Sequence, residues 1–190
     1  AGAIEEYWQA ATDSIASAEK AIAAKSGTSS DSVRGILTTA KEAMDAEEPA
    51  EALHIASSIP AHIESLEASS GEAEAAIADA EAALQSAEGE LPLANVERLT
   101  EAKEAFAKGD VPLAKGLADS LTREVRETSD AMQEVQRALR QKKQIIARFP
   151  SGQASHVWRS RLEEVETASS SGSWVNASQS LTSLTDDLAT

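Results

Sequence analysis

No cysteine occurs among the 190 residues, and only 3% of them are aromatic. The first absence removes disulfide staples, thiolate metal sites and a cysteine nucleophile. It fits a reducing compartment, although cysteine-free surface proteins also exist. No apolar run approaches the ~18–20 residues that a membrane-spanning helix requires, and no secretory leader is visible. The chain opens at Ala1 rather than Met, which points to a processed product or an excised fragment, cytoplasmic or from the cell surface. Cations are scarce as well: 17 Lys and Arg face 32 Asp and Glu, for a net charge of −15. Leu, Ile, Val and Phe together number 35, below the roughly one-fifth typical of ordered chains. Few large aliphatics and a high net charge form the composition of disorder. Strong helical periodicity argues the other way, for a folded chain with a thin, Ala-rich core.

Catalytic motifs are missing too. There is no Gly-x-Ser-x-Gly elbow, no phosphate-binding Walker loop and no dinucleotide-type glycine pattern. A di-iron bundle needs two inward Glu-x-x-His pairs, and Glu51-His54 is the single example. His54 and His62 share roughly one face but stand two turns apart, about 12 Å of rise, too far for one ion. Closed Ala-rich cores also leave little pocket volume. The expectation is a chain that is not an enzyme and carries no metal or cofactor. Asn176-Ala177-Ser178 forms a glycosylation triplet, a pattern common enough by chance to carry no weight.

What is present is periodicity. Residues 40–59 read AKEAMDAEEPAEALHIASSI and residues 102–121 read AKEAFAKGDVPLAKGLADSL. Near the N-terminus, Ile4, Trp8, Ala11, Ile15, Ala18 and Ile22 follow the alternating 4,3 stride of a helix packed in a bundle. A shift of 62 lands on Leu66, Ser70, Ala73, Ile77, Ala80 and Leu84. A second shift of 62 lands on Thr128, Met132, Val135, Leu139, Lys142 and Ile146. Leu37, Ala40 and Met44 map in the same way to Leu99, Ala102 and Phe106, then by 63 to Leu162, Val165 and Ser169. Ala52, Ile59 and Ile63 map to Ala114, Leu121 and Val125, then to Ala177, Leu184 and Leu188. A period of 62–63 excludes a two-helix solenoid, whose repeat is near 34 residues.

Turn residues mark the boundaries. Gly109-Asp110 and Gly172-Ser173 each join a helix-ending Gly to a helix-starting cap, and Pro49 suits a first helical turn. SGTSSDS (26–32), EGELP (88–92) and FPSGQ (149–153) are further breaks. Around residues 65 and 127 the stride runs on with no Pro or multi-Gly break at either junction, though Gly71 is a soft spot. The third helix of one unit is therefore expected to continue as the first of the next, giving long helices near 50–88 and 111–148, the former kinked at Pro60. The expected fold is all-α: a tandem array of three short antiparallel three-helix bundles, 1–65, 66–127 and 128–190, sharing continuous linker helices in an elongated rod. Tandem three-helix bundles joined in this way resemble spectrin-type repeats, and are similar to the helical stalk repeats of some surface proteins. Trp8, at a core position of the first helix, resembles the spectrin-repeat tryptophan; Ser70 and Met132 stand there in the later units, and the 62-residue unit is the shorter. The resemblance implies a structural spacer or scaffold that mediates protein–protein contact.

Charge is unevenly placed. Between Gln136 and Leu162 lie Arg137, Arg140, Lys142, Lys143, Arg148, Arg159 and Arg161, with no acid among them. Two readings follow. The cations complement a helix C-terminal dipole, or they form a patch that docks an acidic protein or an anionic membrane surface. Nucleic acid is disfavoured by the charge of the whole chain, and a second copy of the chain is a further candidate partner. Trp158 and Trp174 either fill gaps where Ala leaves space or anchor a partner.

Overall fold

The computed structural model describes residues 2–24, 29–87, 93–152 and 154–189. These form eight α-helices and, among the described residues, no strand: α1 (Gly2–Ala23), α2 (Ser29–Asp45), α3 (Pro49–Ser86), α4 (Leu93–Ala107), α5 (Val111–Arg140), α6 (Lys142–Ala147), α7 (Ala154–Ser170) and α8 (Trp174–Asp187). The expected breaks at 25–28, 88–92 and Gln153 lie outside the described residues.

Three turns are closed by one set of backbone hydrogen bonds. After α2, Glu47 N–H donates to Met44 O (3.1 Å) and Glu48 N–H to Ala43 O (2.9 Å). After α4, Gly109 N–H donates to Phe106 O (3.0 Å) and Asp110 N–H to Ala105 O (2.9 Å). After α7, Gly172 N–H donates to Ser169 O (3.1 Å) and Ser173 N–H to Ala168 O (2.9 Å). This is the paired arrangement that satisfies the free carbonyls of a helix end, and it requires a left-handed residue just past that end. Glu47, Gly109 and Gly172 supply it, with φ of 61°, 82° and 76°. The residue that follows opens the next helix. Glu48, Asp110 and Ser173 accept at their carbonyls from Ala52, Ala114 and Ala177 (3.0, 3.0 and 2.9 Å). Asp110 adds a side-chain cap, its Oδ1 accepting from Leu113 N–H at 3.2 Å, one of the donors a helix start leaves unpaired.

Helix α3 runs unbroken through Pro60 and Gly71. Proline costs a helix one hydrogen bond, and here the loss does not end it. The second long helix differs from expectation. Instead of continuing to 148, α5 stops at Arg140, and Gln141 makes a tighter bond to Ala138 O (2.9 Å) before α6 begins. The reason lies one residue on. Ala18 and Ala80 are almost fully buried in the corresponding stride positions, and Lys142 cannot occupy so closed a seam. The turn at Gln141 carries its ammonium to Glu166 on α7, at 2.6 Å.

The chain divides into two compact units: Ala1–Ile77 with Thr100–Leu117, and Ala78–Leu99 with Ala118–Thr190. The division passes through α3, α4 and α5 rather than between helices. In the first unit, Ala18, Ile22, Val33, Leu37 and Ile59 form a buried cluster drawn from α1, α2 and α3. Ala11, Ala43 and Ala52 form a second cluster from the same three helices. In the second unit, Val135, Val165, Ala177 and Leu181 join α5, α7 and α8. More than half of the buried apolar residues are alanines. Each removes little surface from water, at about 25 cal/mol per Å², so the few fully buried large side chains (Ile59, Leu121, Leu162, Leu184) matter disproportionately. Ile4 departs from the stride: it is 65% exposed.

Candidate docking surfaces

The seven cations of the 136–162 stretch all fall in the second unit, on α5, α6, the turn after α6, and α7. Two of them are spoken for. Lys142 binds Glu166 and is half-buried. Arg161 reaches Asp187 at 2.8 Å and Ser183 Oγ at 2.9 Å on α8, while its guanidinium lies 5.1 Å from the centre of the Trp158 ring. Phe149 packs on the same tryptophan, centroids 6.2 Å apart and planes tilted by 31°. The Phe149–Trp158–Arg161 stack thus ties the turn after α6 to α7 and α8. Trp158 is half-buried within it, and Trp174 is half-buried against the Val135–Val165–Leu181 cluster. Both rings thus make packing contacts within this unit.

That leaves Arg137, Arg140, Lys143, Arg148 and Arg159. Each is exposed and, among the described residues, none has a side-chain partner. Val157, two residues before Arg159 on α7, is 59% exposed. The stretch without acids is therefore only partly cationic in three dimensions. The acids that temper it, Glu166 and Asp187, come from beyond its C-terminal end, and sequence reading had no means of assigning them.

No protein-family model, curated protein or solved structure matches the chain.

A second surface, which the sequence did not reveal, lies in the first unit. Ile4 and Tyr7 on α1 face Glu47, Glu48, Pro49 and Glu51 at the α2–α3 turn across an open groove of about 700 Å³. Ile4 is 65% and Tyr7 50% exposed. The three glutamates are exposed and, among the described residues, their carboxylates have no partner. A shallower cleft of about 470 Å³ between α7 and α8 is lined by hydroxyls and acids, among them Ser160, Glu163, Glu164 and Thr167. Among the described residues no three His, Asp or Glu side chains cluster to hold a metal. His54 and His62 are exposed, the latter with Nδ1 3.1 Å from Ser58 O. No described helix is long and apolar enough to cross a membrane.

Proposed function

We propose that the chain is a non-enzymatic spacer or scaffold that mediates protein–protein contact, built from three copies of one helical unit near 1–65, 66–127 and 128–190. The observation that carries this reading is the recurrence of one turn, with the same bonds and a left-handed residue at the same place, at Glu47, Gly109 and Gly172. The offsets of 62 and 63 residues are those of the sequence periodicity. A side-chain recurrence supports it. Arg98 pairs with Glu124 and Arg161 with Asp187, and both members of the pair are displaced by 63. Burial recurs too: Ala52, Ala114 and Ala177 are fully buried, as are Ile59, Leu121 and Leu184. Units that bury little area each are stable when neighbours support them through shared helices, which is the use of a continuous α3. The spectrin-type resemblance and the elongated rod belong to this proposal. Solution scattering tests it: a compact chain of this length has a radius of gyration of about 16 Å. The spacer reading expects a clearly larger value and fails at 16 Å.

A second reading is favoured by the five cations that have no side-chain partner among the described residues. They equip the second unit to dock an acidic protein or an anionic membrane surface. Reversing Arg137, Arg140 and Lys143 to Glu should abolish binding to an acidic polypeptide such as polyglutamate and to anionic vesicles. Unchanged binding removes the patch from the account. The net charge of −15 weighs against nucleic acid, whose phosphates would face a repelling body.

A further inference from the structure

The turn that opens α3 is the odd one of three. Gly109 and Gly172 hold the left-handed position in the other two, and Glu47 holds it here. Among the described residues it is the one non-glycine residue with positive φ. A side chain at such a position costs conformational energy that glycine avoids. Glu48 and Glu51 have a structural use, since acids at a helix start complement its dipole. Glu47 lies outside both helices, between the negative end of α2 and the positive end of α3, where the two dipoles oppose. The bonds that close the turn form equally well on Gly109 and Gly172, and the Glu47 carboxylate has no partner among the described residues. A strained backbone position kept without a structural gain points to function. We infer that the Ile4–Tyr7 groove docks a basic protein segment, a Lys- or Arg-rich stretch that carries a large apolar side chain. The inference rests on reading the chain as a protein-contact module, and it names the chemistry of one partner.

Charge complementarity chooses the occupant. Ile4, Tyr7 and Pro49 line the groove together with Glu47, Glu48 and Glu51, so apolar surface and three exposed carboxylates share one concavity. Ile4 is 65% exposed, whereas Leu66, 62 residues later, is half-buried against the Ile22–Ile59 cluster. Exposed apolar groups beside charge are the usual form of a docking surface. Carboxylates select a cationic partner and reject an acidic one. The other two turns do not gather such a set. Gly109, Asp110 and Leu113 stand at the places of Glu47, Glu48 and Glu51 in one, and Gly172, Ser173 and Asn176 in the other. The volume of about 700 Å³ accommodates several side chains of a peptide. A metal ion is a poorer occupant. Among the described residues no three acids or histidines converge on one, and apolar surface offers an ion nothing. The α7–α8 cleft is acidic too, but no large exposed apolar side chain lines it.

Fluorescence anisotropy on the whole chain tests this, with a labelled peptide of alternating lysine and leucine and an oligolysine of equal charge. The lysine–leucine peptide should bind more tightly than the oligolysine. E47K/E48K/E51K should weaken it by about tenfold or more, the worth of three exposed ion pairs. The control E64K/E72K/E74K makes the same charge change at exposed acids of α3, about 20 Å or more along the helix from Glu51. It should leave binding within about twofold, because salt screens charges at that range. Tyr7→Ser, which changes no charge, should weaken the lysine–leucine peptide by about tenfold and leave the oligolysine unchanged. Glu47→Gly should raise the urea midpoint and yet weaken the peptide by about twofold, opposite signs that a purely structural Glu47 would not give. Circular dichroism should be unchanged in every variant. Equal losses in the two triple variants overturn the inference, since binding then follows net charge alone. So does a Tyr7→Ser chain that binds the peptide as the wild type does, or a groove already filled by self-association of the chain. Scattering separates the two levels of failure. A radius of gyration near 16 Å removes the spacer whatever the peptide does. A larger value with no peptide binding leaves the spacer and removes the groove.

Discussion

The turn between α2 and α3 and the turn between α7 and α8 have the same backbone and different residues. Glu47 and Gly172 both lie in the left-handed region, at φ 61° and 76°, and both donate to the carbonyl three residues back at 3.1 Å. Only glycine adopts that conformation without a steric penalty. The first turn therefore forms in spite of its side chain, driven by the carbonyls that must be satisfied at the end of α2. Flanking side chains differ in the same spirit. Where the last hairpin has the pair Arg161–Asp187, the first has Ile36, packed against the Ile22–Ile59 cluster, and His62. One geometry is held at its edge by an ion pair in one region and by burial in the other. Backbone hydrogen bonding fixes the turn, and side chains are free to vary around it.

Removing a shared core residue should break both regions alike. Ile59 and Leu184 are fully buried at corresponding positions. Ile59→Ala and Leu184→Ala should each cost about 3 kcal/mol, read as a fall in urea midpoint; a large inequality would mean that the two regions are not packed in the same way. The turns should then respond with opposite signs. Gly172→Ala should lose about 1 kcal/mol and Glu47→Gly should gain up to about 1 kcal/mol. Gly71, mid-helix with open space around its would-be Cβ, supplies the contrast with Gly172: Gly71→Ala should stabilise by roughly 0.5–1 kcal/mol. Smallest is the edge. A double-mutant cycle on Arg98 and Glu124 should return no more than about 0.5 kcal/mol, since Glu124 is 53% exposed and solvent screens such pairs. Lys142→Ala sharpens the comparison without a large energy change. It restores the alanine found at 18 and 80, and amide exchange at Gln141 and Gln144 should slow as α5 and α6 merge.

Much of the helical layout could be read from the stride. Ala11, Ala18, Leu37, Ala40, Ala52 and Ile59 all lie where the 4,3 spacing put them, inside. Gly109 and Gly172 marked two turns because glycine has a conformational meaning. Glu47 marked nothing, because glutamate is a good helix former and its left-handed backbone is imposed by hydrogen bonds that composition does not encode. Continuity of α3 was legible from an unbroken stride. The break at Gln141 was not, because Gln, Lys and Arg all favour helix and the deciding contact, Lys142 to Glu166, spans 24 residues. The cationic run was visible as a run. Its tempering by Glu166 and Asp187 depends on helix packing, as does the groove at Ile4 and Tyr7, because a stride cannot say which end of a helix is left uncovered.

The central claim is that one helix–turn–helix backbone occurs at three places in the chain, and nuclear magnetic resonance of the turns tests it most directly. Backbone couplings and carbon shifts should place Glu47 in the left-handed region alongside Gly109 and Gly172, with the amides of Glu48, Asp110 and Ser173 protected from exchange. A right-handed Glu47, with the helix running on past Asp45 and an unprotected Glu48 amide, would contradict it.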